Sequence, residues 1–143
     1  MFVIPVPFGT PGFDELLALR YDLLRAPLGL DFTAEQIAEE YDSTHLACYS
    51  KNWELLGCLT LLPLNEKEVK MRQVVVAEAA QGKGVGRLLV EVSEEWARHK
   101  HFSKMVLHAR DVAIPFYLKL NYKKVGKQFF EVNIPHYKMI KDL

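Results

Sequence analysis

The sequence predicts a fold of mixed α and β structure, and three observations support this class. The chain has 143 residues, a length that favours one compact domain over residues 1–143. Half of the residues are hydrophobic, so a sizeable core can form without disulfides or a metal. In the second half of the chain, strand-like and helix-like segments alternate in the order strand, helix, strand, helix, strand.

The first half predicts a strand, two helices and a hairpin. Apolar residues recur at helical spacing from Phe13 to Leu24, and Pro27 and Gly29 follow as helix-ending residues. Thr33 and Gln36 form a capping box that opens a second, short helix. The predicted segments are a strand at 1–6, helices at 13–25 and from 34 to about 42, and hairpin strands at 45–50 and 54–62.

The second half begins with a strand whose end is apolar on consecutive positions, Val74, Val75 and Val76, as expected for a strand covered on both faces. A helix follows that starts among glycines and carries apolar residues on one side. The predicted segments are strands at 69–76, 104–109, 129–132 and 137–140, and helices at 84–99 and 112–120.

Composition limits the partners of the chain. Lys plus Arg equals Asp plus Glu, at 18 each, which argues against a nucleic-acid or membrane-surface partner. The start of the chain lacks the features of a secretory signal and no apolar run approaches a membrane span, so we expect a cytoplasmic protein. Cys48 and Cys58 are expected to be buried and reduced, and no metal-ligand spacing is present, so no metal is expected.

The loop at residues 81–86 has the properties of an anion site. The first N–H groups of a helix have no intrahelical partner, and the helix dipole places partial positive charge there. Gly82, Gly84 and Gly86 allow an anion to approach the backbone closely, and Lys83 and Arg87 add positive charge. An ordinary glycine-rich helix start is the simpler alternative for this loop taken alone.

Two common nucleotide-binding patterns do not fit this loop. A Walker loop requires Lys followed by Ser or Thr after its second glycine, and a dinucleotide fingerprint requires a third glycine where the chain has Arg87 or Leu89. The loop instead fits the pattern Q/R-x-x-G-x-G/A through Gln81, Gly84 and Gly86.

This pattern after a Val-rich strand resembles the pyrophosphate loop of the GNAT superfamily of N-acetyltransferases. The segment 113–122 is similar to the second motif of that family, A-x-x-F-Y-x-x-x-G-F, with Phe116 and Tyr117 as the aromatic pair and Asn121 in place of Gly. Segments 107–110 and 131–139 resemble the ElaA-like subgroup, with Arg110 in place of Gln or Asn and Asn133 in place of Gly. Asn tolerates a left-handed backbone, so both turns should survive.

The resemblance implies a GNAT-type acyl-CoA N-acyltransferase fold, with a central, mostly antiparallel sheet flanked by helices. It implies transfer of an acetyl group from acetyl-CoA to a primary amine of a small molecule or peptide, by direct attack in a ternary complex. A module of the same fold that senses acyl-CoA without catalysis is the alternative. The implied cofactor-binding residues are Val74, Val75, Val76, Gln81, Gly82, Lys83, Gly84, Val85, Gly86, Arg87 and Phe116.

Amide formation requires a neutral amine, so a general base would help. His108, Glu131 and His136 are the candidates for this role, and Glu131 and His136 are also expected on the acceptor side. The alternatives are a core histidine bonded to a carbonyl, a solvated carboxylate and a histidine at a strand end. Tyr117 is, by resemblance, the acid that protonates the leaving thiolate, and its alternative is a packed core ring.

The acceptor is not identified by the sequence. Its pocket is expected between residues 28–36, the hairpin and the last strands, where Glu35, Glu39 and Glu40 either attract a cationic amine or form an acidic helix face. The run of alternating charges at 66–70 is expected to be solvated. The sequence allows a homodimer but does not predict the oligomeric state.

Overall fold

The computed structural model describes residues 1–143 and contains a seven-stranded sheet with the strand order β1-β2-β3-β4-β5-β7-β6. All neighbouring strands are antiparallel except β4 and β5, which are parallel. The strands are β1 (Phe2–Pro5), β2 (Thr44–Tyr49), β3 (Leu55–Pro63), β4 (Glu68–Val76), β5 (Lys104–Arg110), β6 (Lys123–Glu131) and β7 (Ile134–Asp142).

Four α-helices accompany the sheet: α1 (Pro11–Arg20), α2 (Ala34–Ala38), α3 (Val85–His99) and α4 (Ile114–Lys119). Thr10 caps α1 by accepting a hydrogen bond from the Phe13 N–H, and Thr33 and Gln36 form the expected capping box of α2. None of these helices combines the length and the apolar character that crossing a bilayer requires. The remaining helical pieces are a π-helical turn at Tyr21–Arg25 and 3₁₀ turns at Ala26–Leu28, Glu78–Ala80 and Asp111–Ala113.

The parallel pair opens partway along its length. Pairing between β4 and β5 joins Glu68–Met71 to Lys104–Leu107 and stops there. Where it stops, β4 contains a bulge against β3, and Gln73 has a left-handed φ of 54°. Beyond Met71 and Leu107 the two strands separate, so the sheet has a gap at its centre.

The two faces of the sheet are covered differently. One face packs against α3 and α4 in the larger core cluster, which includes Leu59, Met71, Leu89, Leu107 and Tyr117. On the other face, α1 covers β2, β3 and the end of β4 in a smaller cluster. That cluster includes Phe13, Leu16, Ala47, Cys58 and Val75. The first part of β4 and the adjoining β5 and β7 carry polar side chains on this second face.

Several predictions from the sequence are confirmed. The hairpin, the strand before the glycine loop and the long helix after it are present near the expected bounds. Asn121 and Asn133 have φ values of 70° and 63°, as their replacement of glycine required. Cys48 and Cys58 are buried free thiols that lie in different core clusters, on opposite faces of the sheet.

Two predictions about element bounds are wrong or incomplete. The first helix is α-helical only to Arg20 and continues as a π-helical turn to Arg25. The last two strands are longer than predicted. The prediction missed the first part of β6 because this edge strand is polar and exposed, and a register shift between Val125 and Phe129 interrupts its alternation of side chains. Glu94 of α3 is a buried carboxylate, and it accepts hydrogen bonds from Tyr122 and Lys141.

Candidate active site

The glycine loop presents a row of free backbone donors. After β4, the chain passes through the turn Glu78–Ala80 into residues 81–84, and α3 begins at Val85. The six successive N–H groups from Gly82 to Arg87 have no hydrogen-bond partner within the chain, and the first bonded N–H is that of Leu88, to the Gly84 carbonyl at 3.0 Å. Gly82 and Gly84 have φ values of 77° and 84°, in the region that favours glycine.

These donors fit a phosphate-containing ligand. Unpartnered N–H groups at a helix start carry partial positive charge and are aligned by the backbone. Lys83 is exposed beside them, while the Arg87 guanidinium is already bonded to Glu91 at 2.8 Å, which raises the Arg87 pKa. The Gln81 amide donates to the Val76 carbonyl at 3.2 Å and so ties the loop to the end of β4.

Gly86 and Phe116 form the wall behind the loop. A Cβ at Gly86 would lie 3.3 Å from the Phe116 ring and 3.6 Å from Val76, so a larger residue would displace this ring. Val74 and Val76 pack against the larger core cluster, whereas the side chain of Val75 lies in the cluster under α1. Any contact of Val75 with a ligand in the gap would therefore involve its backbone.

A cavity of about 630 Å³ occupies the gap between β4 and β5. Its walls come from five regions of the chain: the π-helical turn, α2, the facing parts of β4 and β5, α4, and the hairpin of β6 and β7. The cavity contacts Tyr117, His108, Glu131 and His136, which sequence reasoning had named separately. None of the loop residues 81–87 lines it, so the loop and the cavity are two distinct places.

His108 and Glu131 form a hydrogen-bonded pair. His108 Nδ1 lies 2.5 Å from Glu131 Oε1. Because a carboxylate only accepts hydrogen bonds, the hydrogen of the neutral imidazole resides on Nδ1. His108 Nε2 is then the free acceptor, and it has no partner in the chain.

The environment keeps His108 neutral near pH 7. Burial lowers its pKa most, the bond to Glu131 raises it, and the positive charge of Lys70 lowers it again, with a net shift below the ordinary value of 6.5. The ring also packs edge-on against Phe129, at 4.9 Å between centroids. A neutral, oriented imidazole with a free nitrogen is suited to accept a proton.

His136 has a different arrangement. Its Nδ1 donates to the Ile134 carbonyl at 2.7 Å, while Nε2 lies 3.8 Å from Glu131 Oε2, which is beyond hydrogen-bond distance. The side chain is buried, and its ring stacks against Phe129. His136 therefore combines the expected strand-end packing with a position at the cavity wall.

Tyr117 borders the cavity from α4. Its side chain is buried between Phe116 and Tyr122, and burial raises its pKa above the ordinary value. The hydroxyl has no hydrogen-bond partner in the chain, whereas the hydroxyl of the neighbouring Tyr122 is bonded to Glu94. Tyr117 is thus a neutral donor available to a ligand.

The acidic residues expected near the acceptor do not line the cavity. Glu35 and Glu39 are exposed on and just after α2. Glu40 is buried and forms a two-pronged ion pair with Arg20, at 2.8 and 2.6 Å, so its charge is already neutralised. The prediction that these carboxylates attract a cationic amine is therefore not supported by their positions.

Sequence reasoning missed the basic residues of the cavity. Lys70, which the charge pattern placed at a solvated edge, is half-buried in the wall. Arg72 lies two residues further on the same face of β4, and Arg110 lies two residues beyond His108 on β5. The period of two in each strand was the available signal, since it places both members of each pair on one face.

The family model described as the Acetyltransferase (GNAT) family matches residues 13–122. The UPF0039 protein C11D3.02c of Schizosaccharomyces pombe is 29% identical over 97 residues, which cover 66% of this chain and 65% of that protein. The matched segment covers 65% of this relative, and it covers 50% and 46% of two other relatives. The chain therefore corresponds to only part of each of these proteins.

Solved structures share the fold over nearly the whole chain. Escherichia coli ElaA superposes with a TM-score of 0.82 at 20% identity, covering 98% of both chains. An aminoglycoside 6′-N-acetyltransferase complexed with coenzyme A superposes with a TM-score of 0.84 at 18% identity, covering 99% of this chain and 97% of that one. The predicted fold class, a mixed sheet flanked by helices, is confirmed.

Proposed function

The chain belongs to the acetyltransferase (GNAT) family of acyl-CoA-dependent N-acyltransferases, and we propose that it transfers an acetyl group from acetyl-CoA to a primary amine in a ternary complex. The acceptor is a small molecule or a peptide. The observation that carries the proposal is the row of six unpartnered N–H groups at the start of α3, beside a gap in the sheet that opens into a cavity.

The residues fit coenzyme A in two places. The N–H groups from Gly82 to Arg87 would hold the pyrophosphate, and the edge of β4 beyond Met71, which has no strand partner towards β5, would accept the pantetheine arm. The bound thioester supplies the acetyl group. The structures of relatives complexed with coenzyme A or acetyl-CoA support this co-substrate.

The acceptor amine must lose a proton before it attacks. With a pKa of about 10.4, a free alkyl amine at pH 7 requires roughly 4–5 kcal/mol to deprotonate. His108 Nε2 is the base that would take this proton, directly or through water, and Glu131 would hold the imidazole by its Nδ1–H and stabilise its charged form. His136 would contribute to the acceptor wall.

Tyr117 would assist departure of the thiolate. Since its pKa is raised by burial and a thiol has a pKa of about 8.5, complete proton transfer from Tyr117 to sulfur would be unfavourable. Its role is therefore to donate a hydrogen bond to the sulfur as negative charge develops there. Counted from the ammonium form, the nitrogen loses two protons through His108: one passes to solvent and the other ends on the departing thiolate, while a C–N bond replaces a C–S bond.

Tyr117→Phe tests this proposal, with release of the CoA thiol as the measurement. We expect kcat to fall on the order of 100-fold, because the donor is lost, and the Kd for acetyl-CoA to stay within about two-fold. Tyr41→Phe is the matched control, since Tyr41 is exposed and lies outside the cavity.

Three other results would count against the proposal. An unchanged kcat at saturating substrates would remove Tyr117 from the mechanism. Tight acetyl-CoA binding by the wild-type chain with no CoA release on amines, peptides or polyamines would favour an acyl-CoA sensor. The absence of a thermal shift with acetyl-CoA would show that the chain does not bind this cofactor.

A further inference from the structure

The cavity wall carries four basic side chains and one acidic side chain. Arg25, Lys70, Arg72 and Arg110 line it together with Glu131. None of these four cations has an acidic partner within 4 Å, although Arg20, Arg87, Arg98 and Lys141 elsewhere in the chain all have one. The chain has no net charge, so this local excess is not a consequence of its composition.

The four cations line this one cavity from three elements. Lys70 and Arg72 are two residues apart on one face of β4, which separates their Cα atoms by about 7 Å. Arg110 is on β5, opposite His136 of β7. Arg25 is at the end of the π-helical turn above them, with its guanidinium 4.6 Å from the centre of the Phe32 ring.

The positions of Lys70 and Arg110 disfavour positive charge. Burial and then the nearby Arg25 lower the pKa of Arg110. Burial, Arg72 and Lys138 lower the pKa of Lys70, and Glu131 opposes this only in part. Partly buried like charges without counterions are unfavourable, and a bound anion would relieve this repulsion.

The pyrophosphate of coenzyme A is not the anion expected among the four cations of the cavity wall. Its donors, Gly82 to Arg87, lie outside the cavity wall. Val74 and Tyr117, which border the thioester end of the cofactor in the proposed function, line the cavity. The space beyond them is the acceptor's space.

Resting on the proposed function, we infer that the acceptor of this site is an amine that also carries an anionic group, a carboxylate or a phosphate. The amine faces His108 and Glu131, and the anionic group lies among Arg25, Lys70, Arg72 and Arg110. Guanidinium groups bind carboxylates and phosphates through two parallel hydrogen bonds, so both anions suit this wall. Polycationic acceptors such as polyamines and aminoglycosides are disfavoured by the same charges.

The test compares acceptors that differ only in the anionic group, using CoA release at saturating acetyl-CoA and detection of the acetylated product by mass. The pairs are the common L-amino acids against their amides and O-phosphoethanolamine against ethanolamine, with spermidine as the polycation. We expect the best anionic acceptor to exceed its uncharged partner at least about ten-fold in kcat/KM. The pair that shows this ratio distinguishes carboxylate from phosphate.

Arg72→Gln tests whether the preference for anionic acceptors arises at the basic wall of the cavity. It should raise KM for the anionic acceptor and reduce the ratio within the responding pair about ten-fold, whereas Lys127→Gln on the exposed strand β6 should leave that ratio unchanged. An equal loss for both members of the pair would assign Arg72 a structural role and contradict the inference.

Two outcomes separate this inference from the proposed function. CoA release that favours the uncharged amine or spermidine would overturn the inference and leave the acetyltransferase activity standing. The absence of CoA release with every one of these acceptors would overturn the proposed function and the inference with it.

Discussion

At the scale of single residues, the proposed proton transfer depends on the hydrogen-bonded pair of His108 and Glu131. Burial and Lys70 lower the pKa of His108, and Glu131 raises it. Because the net direction is downward, His108 is already neutral at neutral pH, and activity should be lost only when the pH falls below the ordinary histidine range. The acidic limb of the rate profile therefore reports the pKa of this base.

Glu131→Gln should move that limb. The amide oxygen of the introduced glutamine can still accept the Nδ1–H of His108, but the carboxylate charge that raises the histidine pKa is gone. We expect the acidic limb of kcat to shift to lower pH and the plateau to fall about ten-fold, because the imidazolium loses its stabilising partner. The measurement is kcat from about pH 5 to about pH 9 at saturating acetyl-CoA and acceptor.

The control for this experiment is Glu66→Gln, which removes an exposed carboxylate from the turn between β3 and β4. Its profile should match that of the wild-type chain. A limb that moves to higher pH in Glu131→Gln, or does not move, would show that His108 is not the group being titrated.

Residue types identified these candidates, but the sequence did not show how they are arranged. His108, Glu131 and His136 were predicted as alternative bases, each with a packing role as its alternative. The register of β5 against β7 and of β7 against β6 brings all three to one wall, and this register depends on a hairpin whose bounds the sequence did not give. The cooperation of His108 with Glu131 was therefore not predictable from spacing.

At the scale of elements, the glycine loop is the feature that the sequence described best. Its motif, the helix after it and the strand before it all occur where the pattern placed them. Such local features are specified by neighbouring residues, so sequence alone suffices for them. The bounds of β6 and β7 and the π-helical turn depend on contacts distant in sequence, and they were missed.

Gly84→Ala tests the loop. Gly84 precedes α3 with a φ of 84°, and an alanine there costs roughly 1–2 kcal/mol of backbone strain unless the loop changes its conformation. We expect the Kd for acetyl-CoA, measured by calorimetry, to rise about ten-fold or more, because the six N–H groups would no longer share one orientation.

Gly126→Ala is the matched control. Gly126 has a similar φ of 78°, lies on β6 and has no atom within 4 Å of the position that an added Cβ would occupy. It should lose a comparable amount of stability while binding acetyl-CoA with unchanged affinity. Equal weakening in both variants would mean that the loss comes from stability rather than from the loop geometry.

At the scale of the whole molecule, the two proposed anion sites lie in different places. One is the loop at the start of α3 and the other is the basic cavity in the gap between β4 and β5, which no residue of the loop lines. A balanced composition gave no indication of the second site, since the opposing charges lie elsewhere on the surface. Lys70 was predicted to be solvated because the sequence does not show that the π-helical turn, α2 and the hairpin of β6 and β7 enclose this part of the sheet in a cavity.

The most direct test of the two-site account is a crystal structure with coenzyme A and the best anionic acceptor. We expect the pyrophosphate within hydrogen-bond distance of the N–H groups from Gly82 to Arg87. We also expect the acceptor's anionic group beside Arg72 and Arg110, with the amine facing His108 and Glu131. A pyrophosphate bound among Arg25, Lys70, Arg72 and Arg110, with the loop donors unbonded, would contradict it.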